Sequence, residues 1–212
     1  MTTPMKVLLI NGSPNQHGCT YTALSEVAAQ LERRGIATEL IWLGAKPVPG
    51  CIDCSKCREL GRCVFDDAVN EVLARADEFG GMVFGSPVYY AGPSGQICAF
   101  LDRLFHSGGR KMAGKLGAAV VSCRRAGSSA ALDRLQKYFT ISNMHVVGSQ
   151  YWNQVHGYTP EEVRRDEEGL QTMRMLAENM AYLLKCIAAG EAAGVEKPHY
   201  EPRIATNFIR QD

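Results

Sequence analysis

Cys51-x2-Cys54-x2-Cys57-x5-Cys63 places four sulfurs within thirteen residues. Two successive two-residue gaps bring three thiolates round one tight turn, which suits three corners of an iron–sulfur cubane. The looser five-residue segment, which contains Gly61, lets the fourth sulfur return. The spacing is similar to that of bacterial ferredoxins but departs from it: five residues replace three, and no Pro follows Cys63. Lys56, Arg58 and Arg62 lie in the same loop and offset the negative charge of a four-thiolate group. Zinc is the competing ligand, although structural four-Cys zinc sites usually pair two separated C-x2-C knuckles. Free thiols in a loop that holds nothing are the third reading. A reducing cytosol disfavours structural disulfides, so eight Cys in 212 residues point to metal or redox chemistry. Cys19, Cys98, Cys123 and Cys186 are scattered and read as small core residues.

A second concentration of functional groups follows the first apolar run. Gly12-Ser13-Pro14-Asn15-Gln16-His17-Gly18-Cys19-Thr20 is no Walker A motif, since no Gly-Lys-Ser/Thr follows, and it lacks the G-x-G-x-x-G of dinucleotide folds. It offers two glycines, the hydroxyls of Ser13 and Thr20, and a helix start near Cys19. Free backbone N–H groups and the positive end of a helix dipole hold a phosphate without any Lys or Arg. The alternative is a plain turn in which Gly and Ser serve only geometry.

These groups need a scaffold, and the hydrophobic pattern supplies one. Val7–Ile10, Ala37–Leu43, Gly81–Ser86, Leu116–Cys123 and the shorter Met144–Gly148 read as strands. The runs do not alternate, as expected of a parallel sheet covered on both faces. Helical spacing marks Cys19–Arg34, a segment opened by Asp66-Asp67 and ending near Ala76, Ser94–Phe105, Ser128–Phe139 and one long helix over 161–189. Five alternations of strand and helix give a three-layer α/β sandwich. In such folds ligands lie beyond the carboxyl ends of the strands, so the loops 12–20, 86–94 and 122–128 are the places for a site.

Composition narrows the classes. Lys+Arg 23 against Asp+Glu 22 leaves a net charge of +1, too little for nucleic-acid binding through bulk charge. No run of about 18 apolar residues is present to span a membrane, and the N-terminus lacks a signal-peptide core. A cytoplasmic location is the expectation. No Ser/His/Asp or H-E-x-x-H arrangement is present, so hydrolytic chemistry is disfavoured and no catalytic side chain is named.

GSPNQHGCT after the first strand, CIDCSKC and CVFDD in the middle, then FGSPVYY with FLDR downstream, resemble the NADPH-dependent FMN reductase family, which has the flavodoxin fold. More narrowly they are similar to its iron–sulfur flavoprotein branch, whose compact Cys motif Cys51, Cys54, Cys57 and Cys63 match. The similarity covers roughly residues 5 to 140. It implies a flavodoxin-like three-layer sandwich with a five-stranded parallel sheet in the order 2-1-3-4-5. Residues 1–190 would form the FMN-binding domain with 44–65 as an inserted Cys-rich loop, and 191–212 a tail wrapping the surface or a partner subunit.

The resemblance also implies cofactors and roles. Ser13, Asn15, Cys19 and Thr20 would hold the FMN phosphate. Pro87, Val88, Tyr89, Tyr90 and Gly92 would embrace the isoalloxazine, where packing is the plainer role for a tyrosine pair. Ser122, Arg124, Gly127 and Ser128 would face the pyrimidine edge, with Arg124 or Arg125 either offsetting charge on the reduced ring or meeting the phosphates of NADPH. NAD(P)H would be the co-substrate, and a small acceptor such as a quinone, free flavin or nitroaromatic would take the electrons. The thiols would hold a [4Fe-4S] cluster, zinc or nothing. A rival reading is an electron carrier fed by ferredoxin-like partners. The chain is expected to form a homodimer or homotetramer, with 143–157 and the tail completing a neighbour's flavin pocket. His156 and His17 are weaker candidates, better explained by structural roles.

Overall fold

The computed structural model describes residues 3–202 together with 204 and 206. Its centre is a sheet of β1 (Lys6–Asn11), β2 (Ala37–Trp42), β3 (Gly81–Tyr89), β5 (Leu116–Cys123) and β6 (His145–Val146), in the order β2-β1-β3-β5-β6. These five pair in parallel and correspond to the expected order 2-1-3-4-5.

Alternate residues of each strand feed two separate cores, which is why the runs are unbroken in sequence. Leu8 and Ile10 of β1 with Met82 and Phe84 of β3 pack under α3 (Ala68–Ala74), α4 (Gly95–Gly108) and α5 (Ser128–Thr140). Val7 and Leu9 with Val83 and Val120 pack under α1 (Cys19–Arg33) and α7 (Glu167–Ala192). Both faces of the sheet are therefore dry, and every apolar side chain so buried contributes about 1.5–3 kcal/mol. On α1 the inward residues are Ala23, Leu24, Val27 and Leu31, and on α4 they are Ile97, Phe100, Leu101 and Leu104, both at three- and four-residue spacing.

The sheet is larger than the five strands expected. β3 does not stop at Pro87 but runs on to Tyr89 and folds back as β4 (Gly92–Pro93), an antiparallel partner. A short strand, β7 (Gln154–His156), pairs in parallel with the end of β5. Its signal is lost in sequence because three residues are too few for a period. The fifth expected strand, Met144–Gly148, is regular only over His145–Val146.

The single helix expected over 161–189 is two: α6 (Pro160–Arg165) and α7, broken at Asp166. The Asp166 carboxylate accepts from the Gly169 N–H at 3.0 Å, capping α7, and from the His156 N–H at 2.6 Å. Capping and a tie to β7 thus outweigh continuation of the helix. The tail starts two residues later than expected, since α7 reaches Ala192. Its described residues from 193 onward form no regular element, while 203, 205 and 207–212 lie outside the described residues. No helix is long and apolar enough to cross a membrane among the described residues.

Candidate functional site

β1 is the point at which the strand order reverses: β2 lies on one side of it and β3 on the other. A crevice opens at such a point beyond the carboxyl ends of the strands. The loop after β1 starts there, and Asn11, a buried residue that its sequence context does not single out, shapes it. Its side-chain oxygen accepts from the Ser13 N–H at 3.0 Å, while its amide donates to the Gln16 carbonyl at 3.0 Å. Ser13 Oγ accepts from the Asn15 N–H at 3.1 Å, and Trp42 Nε1 donates to the Ser13 carbonyl at 2.8 Å. The loop is fixed by its neighbours and by itself.

Helix α1 then begins at Cys19 behind Gly18, and no side chain caps it. Among the described residues the N–H groups of Gln16, His17, Cys19, Thr20 and Tyr21 have no protein acceptor. A 15-residue helix with open donors at its positive end suits a phosphate monoester held without a cation. A Cβ on Gly18 would stand 3.0 Å from Asn15 Cβ, so a side chain there would have to push Asn15 aside by a few tenths of an ångström. Of the expected phosphate contacts, Ser13 and Thr20 are buried, Cys19 is half-buried with its thiol toward the Gly157 carbonyl, and Asn15 is exposed.

The second loop is a two-residue hairpin turn, with Tyr89 paired to Gly92 across Tyr90 and Ala91. Both turn residues are left-handed, at φ +51° and +60°. Two non-glycine residues in that region cost about 1–3 kcal/mol each. The turn projects Tyr90 wholly into solvent and leaves Tyr89 half exposed. Pro87 and Val88 lie in β3 itself, and Gly92 in β4, so these three sit on paired strands and not in an irregular loop.

The third loop follows β5. Ser122 and Ser128 are buried, Gly127 is left-handed at φ +85° ahead of α5, and Arg124 and Arg125 are exposed. Among the described residues neither arginine forms an ion pair.

Three contacts bind these loops into one surface. Ser94 Oγ donates to the Gly12 carbonyl at 2.7 Å, joining the second loop to the first. The Thr20 and Ser122 hydroxyls meet at 2.9 Å, joining the first to the third. A Cβ on Gly127 would lie 2.7 Å from Ala91 Cα, so the third loop touches the tip of the hairpin. All three predicted segments are brought together.

The Cys-rich loop lies to one side, against α4. Cys51, Cys54, Cys57 and Cys63 all line one shallow hollow open to solvent, with Arg103 and His106 on its wall. Asp53 and Ser55 are left-handed, at φ +49° and +57°, which curls the chain so that successive cysteines face the same hollow. Cys57 starts a four-residue helix, α2 (Cys57–Leu60), closed by left-handed Gly61. Among the described residues no three Cys, His, Asp or Glu side chains form a ready metal site. The thiols therefore share a wall without being a closed coordination sphere. The donor set still fits an iron–sulfur cluster, since four thiols share one hollow and one of them accepts a hydrogen bond from a buried guanidinium.

That guanidinium is Arg103, the last residue of FLDR, to which the sequence alone assigns no role. Its Nε donates to Cys63 Sγ at 3.2 Å and its two terminal nitrogens grip Asp67 at 2.6 and 2.9 Å. Burial pulls its pKa down, but the bonds to Asp67 and Cys63 outweigh this and raise it. The four other cysteines are a partial correction. Cys123 is buried, as expected, but Cys186 is exposed and Cys19 and Cys98 are only half-buried. Cys123 Sγ lies 3.4 Å from His156 Nδ1, and burial pushes its thiol pKa up.

Known proteins share this sequence and shape. The sequence profile of the NADPH-dependent FMN reductase family matches residues 5–159. An iron–sulfur flavoprotein of Methanocaldococcus jannaschii is 34% identical over 191 residues, covering 86% of this chain and 99% of the relative. One from Methanosarcina thermophila is 26% identical over 187 residues, covering 86% and 97%. Among solved structures, a WrbA-like flavodoxin from Agrobacterium tumefaciens superposes with a TM-score of 0.61 at 16% identity, covering 86% of this chain and 98% of its own. RosB gives a TM-score of 0.69 at 12% identity, covering 98% and 94%. The two structures share the fold with this chain. The chain belongs to the NADPH-dependent FMN reductase family, in its iron–sulfur flavoprotein branch.

Proposed function

We propose that this flavoprotein takes electrons from NAD(P)H through FMN and delivers them to a small acceptor such as a quinone, free flavin or nitroaromatic. The observation that carries the reading is the joined surface of three loops around an uncapped helix start. Bound there, FMN supplies the ring that accepts a hydride and passes electrons on.

The chain's own residues bind and orient. The open N–H groups from Gln16 to Tyr21, with Ser13 and Thr20 beside them, receive the phosphate. Val88, Tyr89 and the Tyr90–Ala91 tip form one wall of the ring site. The N–H groups of Gly127 and Ser128, at the start of α5, face the polar edge, and Arg124 adds an exposed cation. No side chain has to move a proton, in keeping with the absence of a named acid or base. The exposed aromatics Tyr89, Tyr90, Tyr151 and Trp152 make the rim a seat for a second copy of the chain in a homodimer or homotetramer. Eight free cysteines suit a reducing, cytoplasmic setting.

Cys51, Cys54, Cys57 and Cys63 would hold a [4Fe-4S] cluster, which supplies single-electron steps when bound. Their shared, solvent-open cavity favours a second reading, an electron carrier supplied by a ferredoxin-like partner. Mixing the FMN-loaded protein with NADPH under anaerobic conditions separates the two. Bleaching of the flavin absorbance with loss of the nicotinamide band at 1:1 supports the reductase. Bleaching only by reduced ferredoxin overturns it in favour of the carrier.

A further inference from the structure

We propose that Arg103 is a positioning residue for the thiol site: it holds the Cys-rich loop assembled and, through its bond to Cys63, sets how firmly and at what potential a cluster is held. The proposal rests on the reading of the four thiols as a cluster seat. The Arg103 side chain has no exposed surface, an unusual place for a permanent charge. All its donors are used. Besides Cys63 and Asp67, one terminal nitrogen donates to the Pro49 carbonyl at 3.3 Å and the other to the Phe65 carbonyl at 3.1 Å. The cation also lies 5.0 Å from the centre of the Phe65 ring.

Every one of these partners belongs to residues 49–67. Pro49 precedes the first cysteine by two positions, while Cys63, Phe65 and Asp67 close the loop on its far side. One guanidinium on α4 thus ties together both ends of a segment that contains two left-handed non-glycine residues. A purely structural clamp needs only the carbonyls and Asp67. The contact it does not need is the one from Nε to the Cys63 sulfur.

A donor on a ligand sulfur draws charge from it, which favours the thiolate over the thiol and the reduced cluster over the oxidised one. Lysine keeps the positive charge but cannot supply the planar fork. The two functions of Arg103, assembly and tuning, therefore respond differently to substitution.

The test uses the full chain, prepared iron-free and then reconstituted anaerobically with ferrous iron and sulfide, as wild type, Arg103→Lys and Arg103→Met. Cleavage of the iron-free proteins within 49–67 by a protease that cuts after acidic residues reads assembly, since neither substitution adds or removes such a cutting point. The midpoint potential and electron paramagnetic resonance spectrum of the loaded proteins read tuning. Arg103→Met is expected to be cleaved faster, to lose iron to a chelator roughly 10- to 100-fold faster, and to show a more negative potential. Arg103→Lys is expected to regain some protection yet keep the negative shift. Wild-type potential and spectrum in Arg103→Lys, or wild-type cleavage in Arg103→Met, overturn the proposal. A wild-type protein that takes up no iron overturns the seat itself. That failure is told apart from one of Arg103 because the iron-free cleavage rates are read independently.

Discussion

The hydroxyls of Thr20 and Ser122 stand 2.9 Å apart, both buried, and tie the first turn of α1 to the end of β5. The pair fixes the start of α1 relative to the loop after β5, the two segments proposed to meet the flavin's phosphate and its polar edge. Thr20→Val keeps the shape and removes the hydroxyl, leaving Ser122 without its partner. The dissociation constant for FMN is expected to rise about tenfold, the equivalent of about 1.4 kcal/mol. Quenching of flavin fluorescence on titration measures it, and an unchanged constant contradicts the role given to the pair.

Gly127 touches the hairpin tip. Its φ of +85° disfavours any side chain, and a Cβ there would approach Ala91 Cα to 2.7 Å and Val88 Cγ1 to 3.2 Å. Gly127→Ala therefore forces the third loop and the hairpin apart. We expect a loss of about 2 kcal/mol in stability, or about 4–8 °C in Tm, together with weaker FMN binding. A thermal scan of the flavin-free protein isolates the first effect. A Tm within a degree of wild type would show that the contact is not close.

Asp67 has two functions: its carboxylate caps α3 through the Val69 N–H at 3.1 Å and neutralises Arg103. Asp67→Ala leaves a guanidinium buried without its anion. The expected cost is about 3–5 kcal/mol, well above that of an ordinary lost cap. Denaturant unfolding of the iron-free protein reads this number. A cost below about 1 kcal/mol would mean that the carbonyls of Pro49 and Phe65 suffice for Arg103.

Glu39 governs part of the acid response. The two hydrogen bonds from Arg75, at 2.8 and 2.7 Å, and then the contact with Lys6, pull its pKa from the usual 4.5 to about 2. A carboxylate depressed in the folded state contributes stability that is full above its unfolded value and fades as pH falls through the folded one. The protein should therefore lose stability between about pH 4.5 and pH 2, and Glu39→Gln should flatten that part of the curve. Unfolding midpoints across this range test it, and parallel curves for the two proteins would count against the pairing.

How much of the fold and site is legible in the sequence depends on whether the signal is local. β1 and β5 announce themselves because both faces are buried, so Val7–Ile10 is apolar without a break and Leu116–Val121 carries no polar side chain. The loops after them follow from strand–helix order, and the four cysteines from spacing alone. Trp42 and Arg103 escape notice because their partners are distant in the chain: Trp42 reaches Ser13 from 29 residues away, and Arg103 reaches Cys63 across 40. Asn11 escapes for a different reason, since its bonds to Ser13 and Gln16 exist only once the loop has taken its fold. A trace of Arg103 is present: it follows Phe100 by three residues, on the inward face of α4, where a charge calls for a partner. The break at Asp166 is hidden by apolar spacing that continues on both sides of it.

The central claim is that open backbone donors between Gln16 and Tyr21 grip a flavin's phosphate without a cation. Parallel titrations of the flavin-free protein with FMN and with riboflavin, at low and high salt, test it most directly. Two or more hydrogen bonds to a charged phosphate correspond to about 3 kcal/mol, so FMN should bind about 100-fold more tightly than riboflavin. Uncharged donors should make that preference nearly insensitive to salt. Equal affinities for the two flavins, or a preference that vanishes as salt is raised, would contradict the account.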